Sequence, residues 1–377
     1  MEKNAKTYCF VTNLAFSEEP TVKNRLMPYI SQTIEKGHNV ILVTTDLKPL
    51  DDFDSSFFTH ILQPCQSNRP RSFIKRAIFE WVEARKILKS LVDLDVDAIV
   101  LTIPSMFLLF NAFILKNQKL FLDVRDLTWE YLPSSKPLQL AAKIFFRVLA
   151  NMSFKHFRSI VVTNEAEIEY FKRKNIDTLL YFNGITKQQF QDLIAIPVKK
   201  QGNFTVSYVG KVGLAQNLET LVLAAEKLKD VNFNIVGYGP ECAKLEGIVL
   251  TKKLTNVTFY GNVGWTDVVD FYQKSDVLYA QLQDSFSGAM PSKLYQYLNA
   301  GRFIIYGGGE QALKKLAGFS HNIIIRPDNI KELIEAIETV RKTCTKELCF
   351  KDNITKIHDS YVRENNVDKV LLKWGEI

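Results

Sequence analysis

The segment GAMPSKLYQYLNAG, from Gly288 to Gly301, combines residue types that suit anion binding. Small residues precede Pro291, and Ser292 and Lys293 stand at the start of a predicted short helix. Pro291 suits the first turn of a helix, because its missing N–H costs nothing there. A cation at the same place opposes the helix dipole by about 0.3–1 kcal/mol unless an anion lies beside it. The pattern predicts a site for a multiply charged anion, and a solvated surface lysine is the alternative.

Three more segments place glycines directly after predicted strands. YVGKVGLAQNLETL contains Gly210 followed by Lys211, FNIVGYGPECAKL contains Gly237 and Gly239, and VTFYGNV contains Gly261. Glycine lets a backbone approach a ligand closely, and a helix start after it favours an anion. Each segment alone also fits an ordinary strand-to-helix turn.

The composition limits the classes of function. With 377 residues the chain is long enough for about two domains. Its formal net charge of +7 suits anionic ligands or an anionic membrane surface, and without a polybasic block we expect no nucleic-acid binding. The five cysteines lack the spacing of metal ligands and are expected to be reduced cytosolic thiols.

Short apolar runs alternate with segments of helical period along almost the whole chain. This alternation predicts an α/β fold with parallel sheets covered by helices on both faces, and the pattern occurs twice. We predict a first Rossmann-like domain over 1–184, a second over 185–355, and a C-terminal helix over 356–377 that returns to the first domain. In such tandem domains ligands bind beyond the carboxyl ends of the strands, so the active site is expected in a cleft between the domains.

Residues 98–115, AIVLTIPSMFLLFNAFIL, form an uncharged apolar stretch of 18 residues. This length approaches that of a membrane span. Pro104, Ser105 and Asn111 interrupt it. The segment therefore predicts a buried strand followed by a buried helix.

The four glycine and lysine segments, in their order and spacing, resemble the nucleotide-sugar domain of family-four glycosyltransferases, which are retaining enzymes of the GT-B fold. The likeness is greatest to the bacterial branch that builds O-antigen and capsule, including fucosamine-transferase-like members. It is strong over about 200–330. Upstream, GHNVILVTT, DVRDLTWE, SIVVTNEAEIEYF and YFNGI fit the first domain more loosely.

The resemblance implies roles for individual residues. Gly210 and Lys211 would lie by the donor diphosphate, Lys293 would be a second phosphate contact, and Gln296 would lie near the ribose. The rest of the donor-binding set that it implies is Gln216, Asn217, Gly237, Gly239, Phe286, Ser287, Gly288, Ala289, Met290, Ser292 and Leu294. In this family basic side chains neutralise the leaving group, so no metal or other cofactor is expected, in keeping with the lack of an Asp-x-Asp motif.

The chain departs from the family at several of these positions. Gly288 and Gln296 stand where the broader family has two glutamates, and Gln216 stands where a second cation is common. The loop that begins at Asn13, NLAFSEEPTVKNR, contains none of the glycines expected there. Lys293 is therefore expected to carry more of the phosphate charge.

The segment DVRDLTWE supplies candidates for the acceptor side. Arg125 and Asp126 follow a predicted strand and are placed with Lys211 and Lys293 as catalytic residues that orient the donor or acceptor. Asn13 is a third acceptor-side candidate, and Trp129 and Glu130 would give a sugar-stacking face and a carboxylate. An Asp–Arg pair that caps the next helix is the alternative.

A basic aromatic helix is predicted over 138–157, LQLAAKIFFRVLANMSFKHF. Such a helix can lie in a membrane interface, which lipid-linked acceptors would require. It can equally pack on its own sheet with its cations as the solvated face.

Taken together, these features lead us to expect a retaining glycosyltransferase, either a hexosyl- or an N-acetylhexosaminyl-transferase. It would use a UDP- or GDP-linked sugar and a glycan or lipid-linked acceptor, in the cytoplasm or at the inner face of the cytoplasmic membrane. The alternatives are a sugar-nucleotide epimerase of the same fold and a non-catalytic nucleotide- or glycan-binding member.

Overall fold

The computed structural model describes residues 5–64, 70, 72–103, 105–130, 132, 135–197, 202–283, 291, 293–343 and 350–376. The chain forms two compact units. Unit 1 consists of residues Met1–Asn183 and Asn366–Ile377, and unit 2 consists of Gly184–Asn365.

Unit 1 is built on a parallel sheet of seven strands. The strands are β1 (Thr7–Val11), β2 (Asn39–Thr44), β3 (Phe58–Leu62), β4 (Ala98–Ile103), β5 (Leu120–Val124), β6 (Phe157–Val162) and β7 (Thr178–Leu180). Their order across the sheet is β3-β2-β1-β4-β5-β6-β7. The chain order reverses between β1 and β4, which is the place where doubly wound sheets bind ligands.

Helices cover both faces of this sheet. They are α1 (Pro20–Glu35), α2 (Phe73–Lys89), α3 (Met106–Phe110), α4 (Pro137–Phe154) and α5 (Glu165–Lys172). Helices α2 to α5 pack on one face in a core that includes Cys9 and Val11. Helix α1 packs on the other face against Tyr8 and Phe10. Neighbouring strand residues therefore point into opposite cores, as the period of a strand requires.

The apolar stretch 98–115 lies inside unit 1. All six residues of β4 are buried, and α3 with the 3-10 turn Ala112–Leu115 continues the core. As predicted, the stretch is a buried strand followed by buried helical turns. Among the described residues, no helix has the length and apolar character needed to span a bilayer.

Unit 2 has a parallel sheet of six strands in the order β10-β9-β8-β11-β12-β13. The strands are β8 (Thr205–Val209), β9 (Asn232–Val236), β10 (Val257–Gly261), β11 (Val277–Gln281), β12 (Phe303–Gly307) and β13 (Asn322–Ile325). The helices are α6 (Lys187–Ile194), α7 (Glu219–Lys227), α8 (Cys242–Thr251), α9 (Trp265–Lys274), α10 (Lys293–Asn299), α11 (Glu310–Leu316), α12 (Ile330–Thr343) and α13 (Lys351–Tyr361). Here the order reverses between β8 and β11, so their carboxyl ends are the expected ligand position. The prediction of two Rossmann-like domains is confirmed.

The last segment is two helices and not the single helix predicted over 356–377. Helix α13 ends at Tyr361, and α14 (Arg363–Glu376) begins after Val362, which is extended and pairs with Ile185. From Asn366 onward the residues belong to unit 1. There Trp374 is buried among the aromatic rings of Phe10, Tyr29 and Phe121.

Candidate functional site

Gly210 directly follows β8, the first strand of unit 2, in a conformation that other residues rarely adopt. Its φ is +144°, and its N–H donates to the carbonyl of Val236 at 2.8 Å. A Cβ added here would lie 2.5 Å from Nζ of Lys293. The glycine therefore makes room for an ammonium group beside the carboxyl end of β8.

Lys293 is the first residue of α10, and its ammonium group is held by an aromatic side chain. Nζ donates to the hydroxyl of Tyr208 at 2.6 Å and lies 3.8 Å from the centre of the same ring. The Tyr208 hydroxyl in turn donates to the carbonyl of Lys211. Among the described residues, no acidic side chain forms an ion pair with Lys293. Burial lowers the pKa of the Lys293 ammonium to about 7. An anionic ligand would supply the charge that the phenol does not.

Tyr297 fixes the helix that carries this lysine. Tyr297 lies one turn after Lys293. Its hydroxyl accepts from the N–H of Val209 at 2.9 Å and donates to the carbonyls of Val209 and Tyr279, which lie at 3.2 and 3.3 Å. These contacts bind α10 to the ends of β8 and β11. Tyr208 and Tyr297 thus position the ammonium group, and sequence reasoning gave neither of them a role.

Gly237 and Gly239 are required by close backbone packing. A Cβ on Gly237 would lie 2.0 Å from the carbonyl oxygen of Gly210, and one on Gly239 would lie 2.0 Å from that of Val212. The loops after β8 and β9 can therefore touch only because both residues are glycine. The predicted contact of these glycines with the donor stays a prediction, as does that of Lys211, whose side chain is exposed.

The turn of Gln216 and Asn217 is held by a buried glutamine at the end of β11. Gln281 donates to the carbonyls of Gln216 and Asn217 at 3.2 and 3.1 Å and to Asp328 at 2.8 Å. Asn217 has a φ of +36° and also donates to Asp328, at 2.7 Å. In the sequence, the signal for the role of Gln281 was a polar residue at the end of the apolar run VLYAQ.

Gln296 is oriented by Tyr272, whose hydroxyl donates to its Oε1 at 2.9 Å. Its amide N–H groups make no hydrogen bond to other residues in the described part of the chain. The Leu294 side chain, by contrast, is fully buried in the core of unit 2. The predicted contact of Leu294 with the donor stays a prediction. The remaining predicted donor contacts, Phe286, Ser287, Gly288, Ala289, Met290 and Ser292, lie outside the described residues.

In unit 1, Asp123 forms an internal ion pair. It accepts from Arg25 at 2.6 Å, and both side chains are almost fully buried. Arg25 also donates to the carbonyls of Tyr181 and Phe182, at 2.6 and 3.1 Å, and the Tyr29 hydroxyl donates to Asp123. Asp123 is thus fully engaged within the unit, which leaves Arg125 and Asp126 as the ligand candidates of DVRDLTWE.

Arg125 and Asp126 lie just beyond the carboxyl end of β5. Arg125 donates to Thr21 at 3.1 Å, while its Nε is buried without a partner among the described residues. Burial lowers the pKa of Arg125 and raises that of Asp126, and the charge of Arg125 opposes the latter change. Asn13, beyond the end of β1, also has a buried unpartnered oxygen. Buried polar atoms of this kind favour a polar ligand at this edge of the sheet.

Glu167 is a carboxyl group at the same edge that sequence reasoning missed. It is 4% exposed, and its Oε2 accepts from the N–H and hydroxyl of Thr163 at 2.9 and 3.1 Å. Its Oε1 has no partner in the described ranges. Burial raises the pKa of Glu167 to about 7, and nearby Asp126 adds to the rise. Asn164 caps the N-terminus of α5 and accepts from the N–H of Glu167, three residues later. This capping pattern in SIVVTNEAEIEYF was the sequence signal for the position of Glu167.

Replacement of Glu167 by glutamine is expected to stabilise the protein at pH 8. Because its pKa is higher folded than unfolded, the native state binds more protons between about pH 4.5 and 7, and stability falls as the pH rises through that range. Glutamine keeps an acceptor for Thr163 without this cost, so we expect a gain of roughly 1–3 kcal/mol at pH 8 and little at pH 4.5. Urea unfolding at pH 8 and at pH 4.5 measures this gain in the free energy of unfolding. An equal gain at both pH values would contradict the protonation argument.

Trp129 and Glu130 do not form the predicted acceptor face. Trp129 is fully buried, donates to the Tyr170 hydroxyl at 3.2 Å and packs on Phe154, so the prediction that its ring stacks on a sugar is wrong. Glu130 is bound by Arg147 in an ion pair. Trp129 instead belongs to the core that helices α2 to α5 form on one face of the sheet.

Three solved structures share the fold over nearly all of the chain. Sucrose-phosphate synthase (tll1590) from Thermosynechococcus elongatus is 14% identical, with 98% of each chain covered and a TM-score of 0.74. Anabaena Alr3699/HepE, solved in complex with UDP and glucose, is 13% identical, with 99% and 100% covered and a TM-score of 0.68. The lipopolysaccharide outer core galactosyltransferase WaaB is 11% identical, with 97% and 99% covered and a TM-score of 0.63. At these identities the likeness shows the GT-B fold.

The sequence itself matches one family model. Residues 189–353, within unit 2, match the model described as Glycosyl transferases group 1. No curated protein gives a significant match to the sequence. The matched region includes Gly210, Lys211, Lys293 and Gln296. The group 1 model thus matches the part of unit 2 that carries these four residues, and the solved structures share the fold of the whole chain.

Proposed function

We propose that this protein moves a hexose or N-acetylhexosamine from a nucleoside diphosphate sugar to a hydroxyl group, with retention of configuration. The observation that carries the proposal is the ammonium group of Lys293, held against Tyr208 beside Gly210 at the reversal point of the unit 2 sheet. It is a cation with a phenol for a partner, at the edge where parallel sheets bind ligands.

The chemistry follows from what such a group can do. The Lys293 ammonium would stabilise the charge that grows on the leaving diphosphate, with Lys211 as a second, exposed cation. In a retaining transfer the acceptor hydroxyl and the leaving phosphate lie on the same face of the sugar, so a phosphate oxygen can take the proton. Lys293 and Lys211 would neutralise the diphosphate in the role that a metal ion has in other transferases. Arg125 and Asp126 would orient the acceptor or the donor sugar from unit 1.

The donor is proposed to be UDP- or GDP-linked, and the acceptor a glycan or lipid-linked oligosaccharide of bacterial surface polysaccharide such as O-antigen or capsule. Anabaena Alr3699/HepE is described in complex with UDP and glucose, and WaaB as a lipopolysaccharide galactosyltransferase. The first description supports a UDP-linked donor, and the second supports a surface-glycan acceptor. A lipid-linked acceptor would bring the protein to the inner face of the cytoplasmic membrane.

A panel of nucleotides tests the proposal directly. Because a ligand that binds only the native state raises the melting temperature, UDP or GDP should give a clear shift, and ADP a smaller one. A nucleotide concentration tenfold above the dissociation constant adds roughly 1.4 kcal/mol to the free energy of unfolding. No shift with any of the three would contradict the nucleotide site.

Turnover separates the transferase from its alternatives. A transferase without an acceptor should slowly hydrolyse the preferred nucleotide sugar to the free sugar and the nucleoside diphosphate. With an acceptor present it should release the nucleoside diphosphate faster, because the sugar is then transferred to the acceptor hydroxyl. An epimerase would change the sugar and leave the nucleotide linkage intact, or yield an altered free sugar. Nucleotide binding without any turnover would favour the non-catalytic alternative.

A further inference from the structure

Helix α4 of unit 1 turns large apolar side chains toward solvent. Leu138 is 82% exposed and Phe145 is 58% exposed. The exposed set, which we call the α4 apolar face, consists of Leu138, Leu140, Ile144, Phe145, Val148 and Met152. Single exposed apolar residues are common on protein surfaces, but a continuous set along one helix marks an interaction site.

The two cations of the same helix are both bound by Glu130. Lys143 donates to the carbonyl of Glu130 at 2.5 Å, and Arg147 pairs with the Glu130 carboxylate, its Nε at 2.8 Å. Helix α4 contains no acidic residue. The usual arrangement, with charges outward and apolar residues inward, is therefore partly reversed in α4.

Helix α2 adds a second apolar stripe on the same side of unit 1. Ile74, Ile78 and Val82 are exposed and spaced by four residues, so they share one face of the helix. Both helices pack on α3, where the ring of Phe107 meets Trp81 of α2 at 6.2 Å and Phe146 of α4 at 6.3 Å.

A basic groove adjoins the end of the α4 apolar face. It has a volume of about 690 Å³ and begins at Asn151, next to Met152. Lys155, Arg158 and Lys174 line it, together with Asp177, which is paired with Lys373 at 3.1 Å. The groove is therefore positively charged where the apolar face ends.

We propose that the α4 apolar face and the adjoining basic groove dock unit 1 on an anionic lipid bilayer. Apolar side chains would enter the interface, and the groove cations would meet the lipid phosphates. A second copy of this chain is a poorer occupant, because its face would carry the same positive charge and would offer the groove cations no anionic partner. The inference does not rest on the proposed transferase function, since it uses none of the residues of the nucleotide site.

Sedimentation with vesicles tests the proposal on the full chain. We expect binding to phosphatidylcholine vesicles that contain phosphatidylglycerol, weaker binding to phosphatidylcholine alone, and release as salt is raised, because salt screens the groove cations. The variant Phe145→Ser/Val148→Ser/Met152→Ser should bind the anionic vesicles at least roughly tenfold more weakly. Its circular dichroism spectrum and its melting temperature without nucleotide should stay close to those of the wild type, which shows that the variant is folded.

Leu250→Ser is the matched control, because Leu250 is a 77% exposed leucine on α8 of unit 2. It should leave vesicle binding unchanged. Failure of the wild type to bind, or equal binding by the triple variant, would overturn the proposal. So would a wild-type dimer that the triple variant abolishes in analytical ultracentrifugation, since the face would then belong to a second copy. None of these outcomes bears on nucleotide binding.

Discussion

Lys293→Met is expected to weaken UDP or GDP binding by roughly tenfold or more, which is about 1.4 kcal/mol, while raising the melting temperature of the free protein. Two physical terms act in opposite directions. The ammonium group is desolvated beside Tyr208, which disfavours the charged form and costs stability below its folded pKa of about 7. Above that value the cost fades, because the folded lysine is then neutral while the unfolded one stays charged up to its ordinary pKa. Methionine removes the cost together with the phosphate contact.

Calorimetric titration and thermal unfolding at pH 6.5 measure both effects. Lys252→Met is the matched control, since Lys252 forms a surface ion pair with Glu226 at 2.9 Å in the same unit. We expect it to change neither quantity appreciably. A Lys293 variant with unchanged affinity would refute the phosphate contact, whereas a loss of both affinity and stability would indicate a structural role for the lysine.

Asp123→Ala is expected to destabilise unit 1 by about 3–5 kcal/mol, because it leaves the guanidinium group of Arg25 buried without its anion. Replacement of both partners, Arg25→Met with Asp123→Leu, should recover part of the loss. The recovery should be incomplete, since the carbonyls of Tyr181 and Phe182 lose their donor.

Urea unfolding of Arg25→Met, of Asp123→Leu and of the variant that combines both gives the coupling energy of the pair. The control is Asp52→Ala, which breaks the exposed pair of Lys23 and Asp52 at 3.4 Å and should cost less than about 1 kcal/mol. A cost for Asp123→Ala as small as that of Asp52→Ala would show that the buried pair is not the main polar contact of this core.

The strands were predictable because each is a short run rich in apolar residues. The run NVILVT forms β2 over Asn39–Thr44, and FTHIL forms β3 over Phe58–Leu62. Burial on both faces makes such runs almost continuous in parallel sheets, so the signal is local. The break between α13 and α14 was not predictable, because it depends on the pairing of Val362 with the distant Ile185.

The candidate site was predictable only in part, because some of its contacts join residues that are far apart in the sequence. Lys293 and Gly210 stand in segments whose local composition suits anions, and the structure brings them together. The pair of Arg25 and Asp123 joins residues 98 positions apart, and nothing in either segment specifies the other. Trp129 looked like a ligand face in DVRDLTWE because a local pattern does not show which side of the chain a helix will cover.

The lowered pKa of Lys293 has a consequence for the energetics of nucleotide binding. Near neutral pH part of the free protein carries a neutral amine at this position, since its pKa is about 7. A bound diphosphate would favour the ammonium form, so binding would take up protons from the buffer and release of the nucleotide would return them. The apparent binding enthalpy should then vary with the ionisation enthalpy of the buffer, and affinity should fall as the solution becomes alkaline.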